Sequence, residues 1–91
     1  MAERVEQVLR VGGGSSTRAV GGALVKFLDE GVDVVLSAVG AGAVNQMTKA
    51  IIEARSMAAR RGLDLYFIPG FYDEMVGSEM KTSIRFYVKV K

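Results

Sequence analysis

The stretch Asp33–Ile51, DVVLSAVGAGAVNQMTKAI, decides the fold. Its first part, Asp33 to Val39, is a short and nearly unbroken apolar run, the pattern of a central strand. Glycines at 40 and 42 interrupt it. Beyond them Val44, Met47 and Ile51 recur at three- and four-residue spacing. Ala54 and Ala58 continue that stripe, while Gln46, Lys49, Glu53, Ser56 and Arg60 fall largely away from it. The passage predicts a strand, a glycine loop and a helix running from Ala43 to about Arg61.

Upstream, Val5–Val11 reads as a strand that ends at Gly12-Gly13-Gly14-Ser15-Ser16, where serine is suited to cap a helix. That helix is expected from Thr17 to about Glu30, with Val20, Ala23, Leu24, Phe27 and Leu28 on one face and Gly31 closing it. Gly21 and Gly22 lower its propensity slightly, and their use is read as close approach to the sheet. Downstream, Leu63–Ile68 reads as a third strand ended by Pro69-Gly70. Met80–Val90 alternates as a fourth, with Met80, Thr82, Ile84, Phe86, Val88 and Val90 on one face and Lys81, Ser83, Arg85, Tyr87 and Lys89 on the other. Right-handed crossovers then give an α+β two-layer domain over residues 1–91, in the order βαβαββ. Its mixed four-stranded sheet carries two helices on one face, and the last strand returns antiparallel through a loop, GFYDEMVGSE. The opposite face would mix Val8, Tyr66, Ile68 and Tyr87 with Arg10, Arg85 and Lys89, a surface that suggests a partner.

Composition narrows the chemistry. The 91 residues contain neither cysteine nor histidine, so disulfides, thiol chemistry, the usual metal ligands and the usual general base are missing. No cofactor and no metal site is expected. Asp73 and Glu74 are adjacent in a loop and lack a nucleophile or ligand beside them, which argues against an enzyme. The start MAERVEQVLRV lacks a basic patch followed by an apolar run, and no window approaches a membrane span, so a cytoplasmic protein with no membrane partner is expected. A net charge of +2 permits nucleic-acid binding without demanding it.

Candidate contacts gather in three places. Gly40-Ala-Gly42-Ala-Val-Asn45 keeps two glycines of a dinucleotide fingerprint but has Asn45 at the third. Ile68 and Pro69 stand where the acidic ribose reader would be. This leaves a tight turn, or a loop that admits an anion to a helix N-terminus. The first loop offers the same alternatives through Gly13, Gly14, Ser15, Ser16 and Arg18. In the second helix Asn45 and Gln46 suit capping or ligand contact, capping being favoured, and Lys49 lies one turn on. Third, Lys81, Arg85, Lys89 and Lys91 with Tyr87 form a basic stripe, suited to phosphates and bases or to simple solubility. Asp73, Glu74 and Glu79 would repel phosphate if the preceding loop acted as an arm.

Gly-Gly-Ser-Ser after the first strand, then AVGGAL, VLSAVGAGAVNQMTKAIIEAR and GLDLYFIPGFYDE, resemble the stage V sporulation protein S family over nearly the whole chain. The resemblance implies a dimer-forming βαβαββ domain with a fold related to the Alba DNA- and RNA-binding proteins. It also implies a role in regulating bacterial development, with no known enzymatic activity. The first loop, GGGSSTR, departs from Alba proteins in presenting serines and one arginine where they usually present lysines, which argues against strong duplex binding. Three functions stand open: a nucleic-acid-binding regulator that forms a homodimer or higher homo-oligomer, an oligomeric protein-interaction module, and a small-ligand sensor.

Overall fold

The computed structural model describes residues 5–91; Met1–Arg4, part of the N-terminal stretch read above for a leader, lie outside the described residues. The elements are β1 (Glu6–Arg10), α1 (Thr17–Asp29), β2 (Asp33–Ala38), α2 (Ala41–Ala59), β3 (Leu65–Val76) and β4 (Glu79–Val90). They form one sheet in the order β1-β2-β4-β3. β1 and β2 pair in parallel, and β4 pairs antiparallel with both β2 and β3.

Each boundary has a local cause. Ser16 caps α1, its side chain accepting from the Ala19 N–H at 3.2 Å, and Gly31 closes that helix at φ 76°, a left-handed conformation that costs glycine little. Gly40 stands at φ 91°, which turns the chain sharply and lets α2 begin at Ala41, two residues ahead of the sequence expectation. Val39 drops out of β2 as a result and is exposed.

The core lies between the sheet and the helices. Leu24, Val34, Leu36, Met47, Ala54 and Phe86 are buried in it, and Phe67 stacks on Phe86 with ring centroids 4.0 Å apart. Both helices sit on that face. Gly21 differs from the sequence reading: a Cβ there would meet Ala50 O at 3.0 Å, Ala54 N at 3.1 Å and Glu53 Cβ at 3.2 Å, all on α2 rather than on the sheet. The small residue sets the spacing of the two helices. Gly22 has nothing within 4 Å of such an atom, so close approach is not its role.

The largest departure from the sequence reading is β3. Pro69-Gly70 does not end it; the strand runs on to Val76 and turns through Gly77 and Ser78 into β4. Proline is tolerated because β3 is an edge strand, where its missing N–H removes no ladder bond. The segment read as a loop is therefore half of a long hairpin. Pairing of β4 with β2 stops at Ala38↔Ile84, whereas pairing with β3 continues to Val76↔Glu79. Residues 71–83 thus leave the sheet as a two-stranded ribbon.

The helix contact gives a paired prediction. Gly21→Val should destabilise by about 1–3 kcal/mol, because its methyls meet α2 backbone that has to move. Gly22→Ala should stabilise by about 0.5–1 kcal/mol, the usual gain over glycine in a helix. Denaturant unfolding of both variants checks this, and equal effects would contradict the packing account.

Candidate nucleic-acid interface

Each helix follows a strand of the parallel pair, so both helices start at the same edge, just past the C-terminal ends of β1 and β2. The two starts are physically tied: Gln46 Nε2 on α2 donates to the Ser15 carbonyl at 2.8 Å. Ser15 Oγ in turn accepts from the Gly12 N–H at 2.9 Å, so the first glycine loop is folded on itself and anchored to α2. Both serine hydroxyls accept backbone N–H groups, and each keeps its own O–H to donate.

The α2 start has no side-chain cap. Its first intrahelical bond runs from Val44 N–H to Gly40 O at 3.0 Å, which leaves the N–H groups of Ala41, Gly42 and Ala43 without intrahelical partners. Asn45 does not cap; it is exposed one turn inside the helix, because the cap position is occupied by Gly40. Neither helix has an acidic residue in its first turn. The positive ends of both dipoles are therefore uncompensated from within. Gly13, Gly14, Arg18 and Gly42 are exposed around them, and a Cβ on Gly42 would meet nothing within 4 Å. Lys49 is exposed too, but eight residues past Ala41, about 12 Å along the helix axis.

The basic stripe of β4 is not continuous. Lys81 is exposed but pairs with Glu79 at 3.1 Å, and Lys89 and Lys91 are exposed at the far end. Arg85 is buried, at 8% exposure, with its guanidinium carbon 3.5 Å from the Tyr72 ring centroid. The cause is the ribbon. In a flat sheet Glu74 and Arg10 would lie about 14 Å apart across the strands and about 13 Å along them, yet Arg10 Nη1 is 2.9 Å from Glu74 Oε1. The ribbon curls across the helix-free face and brings Tyr72 down over Arg85. Ser83 Oγ, fully buried, donates to the Tyr72 carbonyl at 3.0 Å.

The same curl answers the acidic residues of the arm. Glu74 is paired with Arg10, Glu79 with Lys81, and Asp73 accepts from Thr82 Oγ1 at 2.6 Å. The Glu74 carboxyl is held below the usual carboxylate range, first by the hydrogen bond from Arg10, with the charges of Arg10 and Arg85 adding and desolvation opposing. Its partnership with Arg10 was hidden in the sequence because it depends on a ribbon that Pro69-Gly70 appeared to forbid. The signals for that ribbon are the β-forming run Phe71-Tyr72 and the dipeptide Gly77-Ser78, with Gly77 at φ 64°.

Past the arm, Tyr66 and Ile68 remain exposed on the helix-free face, with Val8 and Tyr87 half-buried beside them. On the other side of the ribbon Phe71 is 80% exposed, beside a groove shared with Val44, Asn45, Thr48 and Ile84. Among the described residues no acidic cluster is suited to hold a metal ion, and no helix is long and apolar enough to cross a membrane.

Comparison with known proteins agrees with this geometry. The stage V sporulation protein S family profile matches residues 7–91. Among solved structures the chain is similar to Alba from Thermoplasma volcanium, with 15% identity, a TM-score of 0.55, and coverage of 90% of this chain and 98% of that one. The fold is thus Alba-like.

Because the Glu74 pKa is depressed on folding, the Arg10–Glu74 contact contributes fully above the ordinary carboxylate range, about pH 4, and is lost as pH falls below it. Amide exchange in residues 72–81, corrected for intrinsic rates, should be steady from neutrality to about pH 4.5 and then rise relative to the α2 core. Constant relative protection down to about pH 2 would contradict the latch.

Proposed function

The chain belongs to the stage V sporulation protein S family, and from that premise we propose that it is a non-enzymatic, cytoplasmic, single-domain regulator of bacterial development that binds nucleic acid. The observation that carries the reading is the edge where α1 and α2 begin. Two helix N-termini without acidic first-turn residues are tied together by Gln46, with exposed Arg18 in the first turn of α1 and exposed Lys49 two turns along α2. Such an edge suits phosphate, since N–H groups and dipole ends converge where glycines leave room for it. Gly42 fits this use, because no packing requires glycine there. The family resemblance, which implies kinship with nucleic-acid-binding Alba proteins, supports the same reading. Lys81 extends the edge onto the arm, while Arg85 is withdrawn beneath Tyr72.

A second reading has its own support. Tyr66 and Ile68 are large exposed apolar side chains on the helix-free face of β3, as expected if copies of the chain meet there. Self-association and nucleic-acid binding are compatible, since the apolar surface and the helix starts are different parts of the molecule.

Phosphate contacts carry no base information. Arg18→Ala and Lys49→Ala should therefore weaken binding to every oligonucleotide alike, and each should shallow the salt slope by roughly one unit. Fluorescence anisotropy with single- and double-stranded probes at several salt concentrations measures this, and light scattering on the same samples should report at least a dimer. Negligible wild-type binding at low salt would reject the nucleic-acid reading in favour of the interaction module. A monomer at high micromolar concentration would reject self-association.

A further inference from the structure

The helix-free face holds a cluster of groups that the helix starts do not use. Arg10, Ser37 and Arg85 occupy one row of the sheet, since Arg10 pairs with Ser37 and Ser37 with Arg85. The two arginines are thus about 10 Å apart at their Cα atoms, two strand spacings, close enough for their long side chains to converge. Gly70, opposite Arg85 in the next strand, adds no side chain to the row. Glu74 pairs with the first of them, its Oε1 2.9 Å from Arg10 Nη1, and the Arg85 charge acts on it as well.

This internal carboxylate leaves the site underused. Arg85 is nine-tenths buried, yet its Nε has no hydrogen-bond partner among the described residues. A guanidinium offers five donors in a fork that matches phosphate oxygens, and here one of those donors is desolvated without being satisfied. We propose that Arg10 and Arg85 form a phosphate-binding subsite on the helix-free face, and that the curled ribbon closes it by seating Glu74 and Tyr72 where the anion binds.

The ribbon is built to move as a unit. Beyond Ile84 it keeps its own ladder but none with β2. It is held down on the sheet by two side-chain contacts, Arg10 with Glu74 and Arg85 with Tyr72; the Ser83 bond to the Tyr72 carbonyl lies within the ribbon, between register partners. Lifting it breaks the two sheet contacts while leaving both sheet and ribbon pairings intact; it uncovers the buried Arg85 guanidinium and frees that of Arg10, which is already exposed, from Glu74. A phosphodiester has the charge of Glu74 and more acceptor oxygens, so it replaces the carboxylate and satisfies the orphaned Nε. The phosphodiester as occupant rests on the nucleic-acid reading above; the subsite itself rests on the arginine pair.

The test compares the wild-type chain with Glu74→Gln, Glu74→Gln/Arg85→Met and Glu74→Gln/Arg10→Met. The probes are inorganic pyrophosphate, followed by calorimetry, and a short oligothymidylate, followed by anisotropy. Methionine preserves volume at the arginine positions, and circular dichroism checks the fold of each variant. Glu74→Gln should speed amide exchange across residues 72–81 and tighten pyrophosphate binding about tenfold, the equivalent of about 1.4 kcal/mol, and each double variant should lose the gain. No gain for either probe in Glu74→Gln, or a gain that survives both methionine substitutions, overturns the subsite. A pyrophosphate gain with no oligothymidylate binding by any variant upholds the subsite for free phosphate and counts against the nucleic-acid reading. Oligothymidylate binding that Glu74→Gln leaves unchanged, with no pyrophosphate gain, upholds that reading and removes the subsite.

Discussion

The insertion of β4 between β2 and β3 is the constraint on which the rest of the structure depends. The crossover from β2 through α2 sets β3 two strand positions away from β2, parallel to it, and only an antiparallel strand can fill the gap with short connections. Filling it buries Phe86 and Val88 at the middle of the core and makes β3 an edge. Both helices then start beside the C-terminal ends of parallel strands, at one edge. β4 is also longer than the strand it pairs with on one side. Its overhang, with that of β3, becomes the ribbon that leaves from the same edge as the helix starts.

That overhang explains why a face without helices is only partly open. A two-stranded ribbon alone is marginal in water, and curling onto the sheet gives it partners. Ser37, Ser83 and Arg85 are buried by the curl, whereas Tyr66 and Ile68, further from the ribbon, are not. The helix-free face therefore divides into a polar half covered by the protein's own arm and an apolar half left exposed. The charges follow the same division: the acids of the arm are engaged by Arg10, Lys81 and Thr82, and the helix starts keep an uncompensated positive character.

Periodicity made most of this fold legible. The apolar run of Asp33–Val39 and the stripe of Met47, Ile51, Ala54 and Ala58 located β2 and α2, and the alternation of Met80–Val90 assigned the correct residues of β4 to each face. Punctuation was less informative. Pro69-Gly70 resembles a strand end, but whether it ends a strand depends on edge position, a tertiary property. Gly21 announced a close approach without revealing that the neighbour was α2. At the site, the glycines and serines of the two loops could be chosen from sequence, but their juxtaposition through Gln46 required the packing of α2. Arg85 looked exposed because alternation gives the face of a side chain and not what folds over that face.

The central claim is that the edge formed by the two helix starts is the surface that meets nucleic acid. The most direct measurement is amide chemical-shift mapping of the isotopically labelled chain, titrated with a short single-stranded oligonucleotide at low salt. The account predicts the largest shifts at residues 12–18 and 40–49, with smaller ones along the ribbon. Shifts concentrated instead on Val8, Tyr66, Ile68 and Tyr87, with the two loops silent, would contradict it.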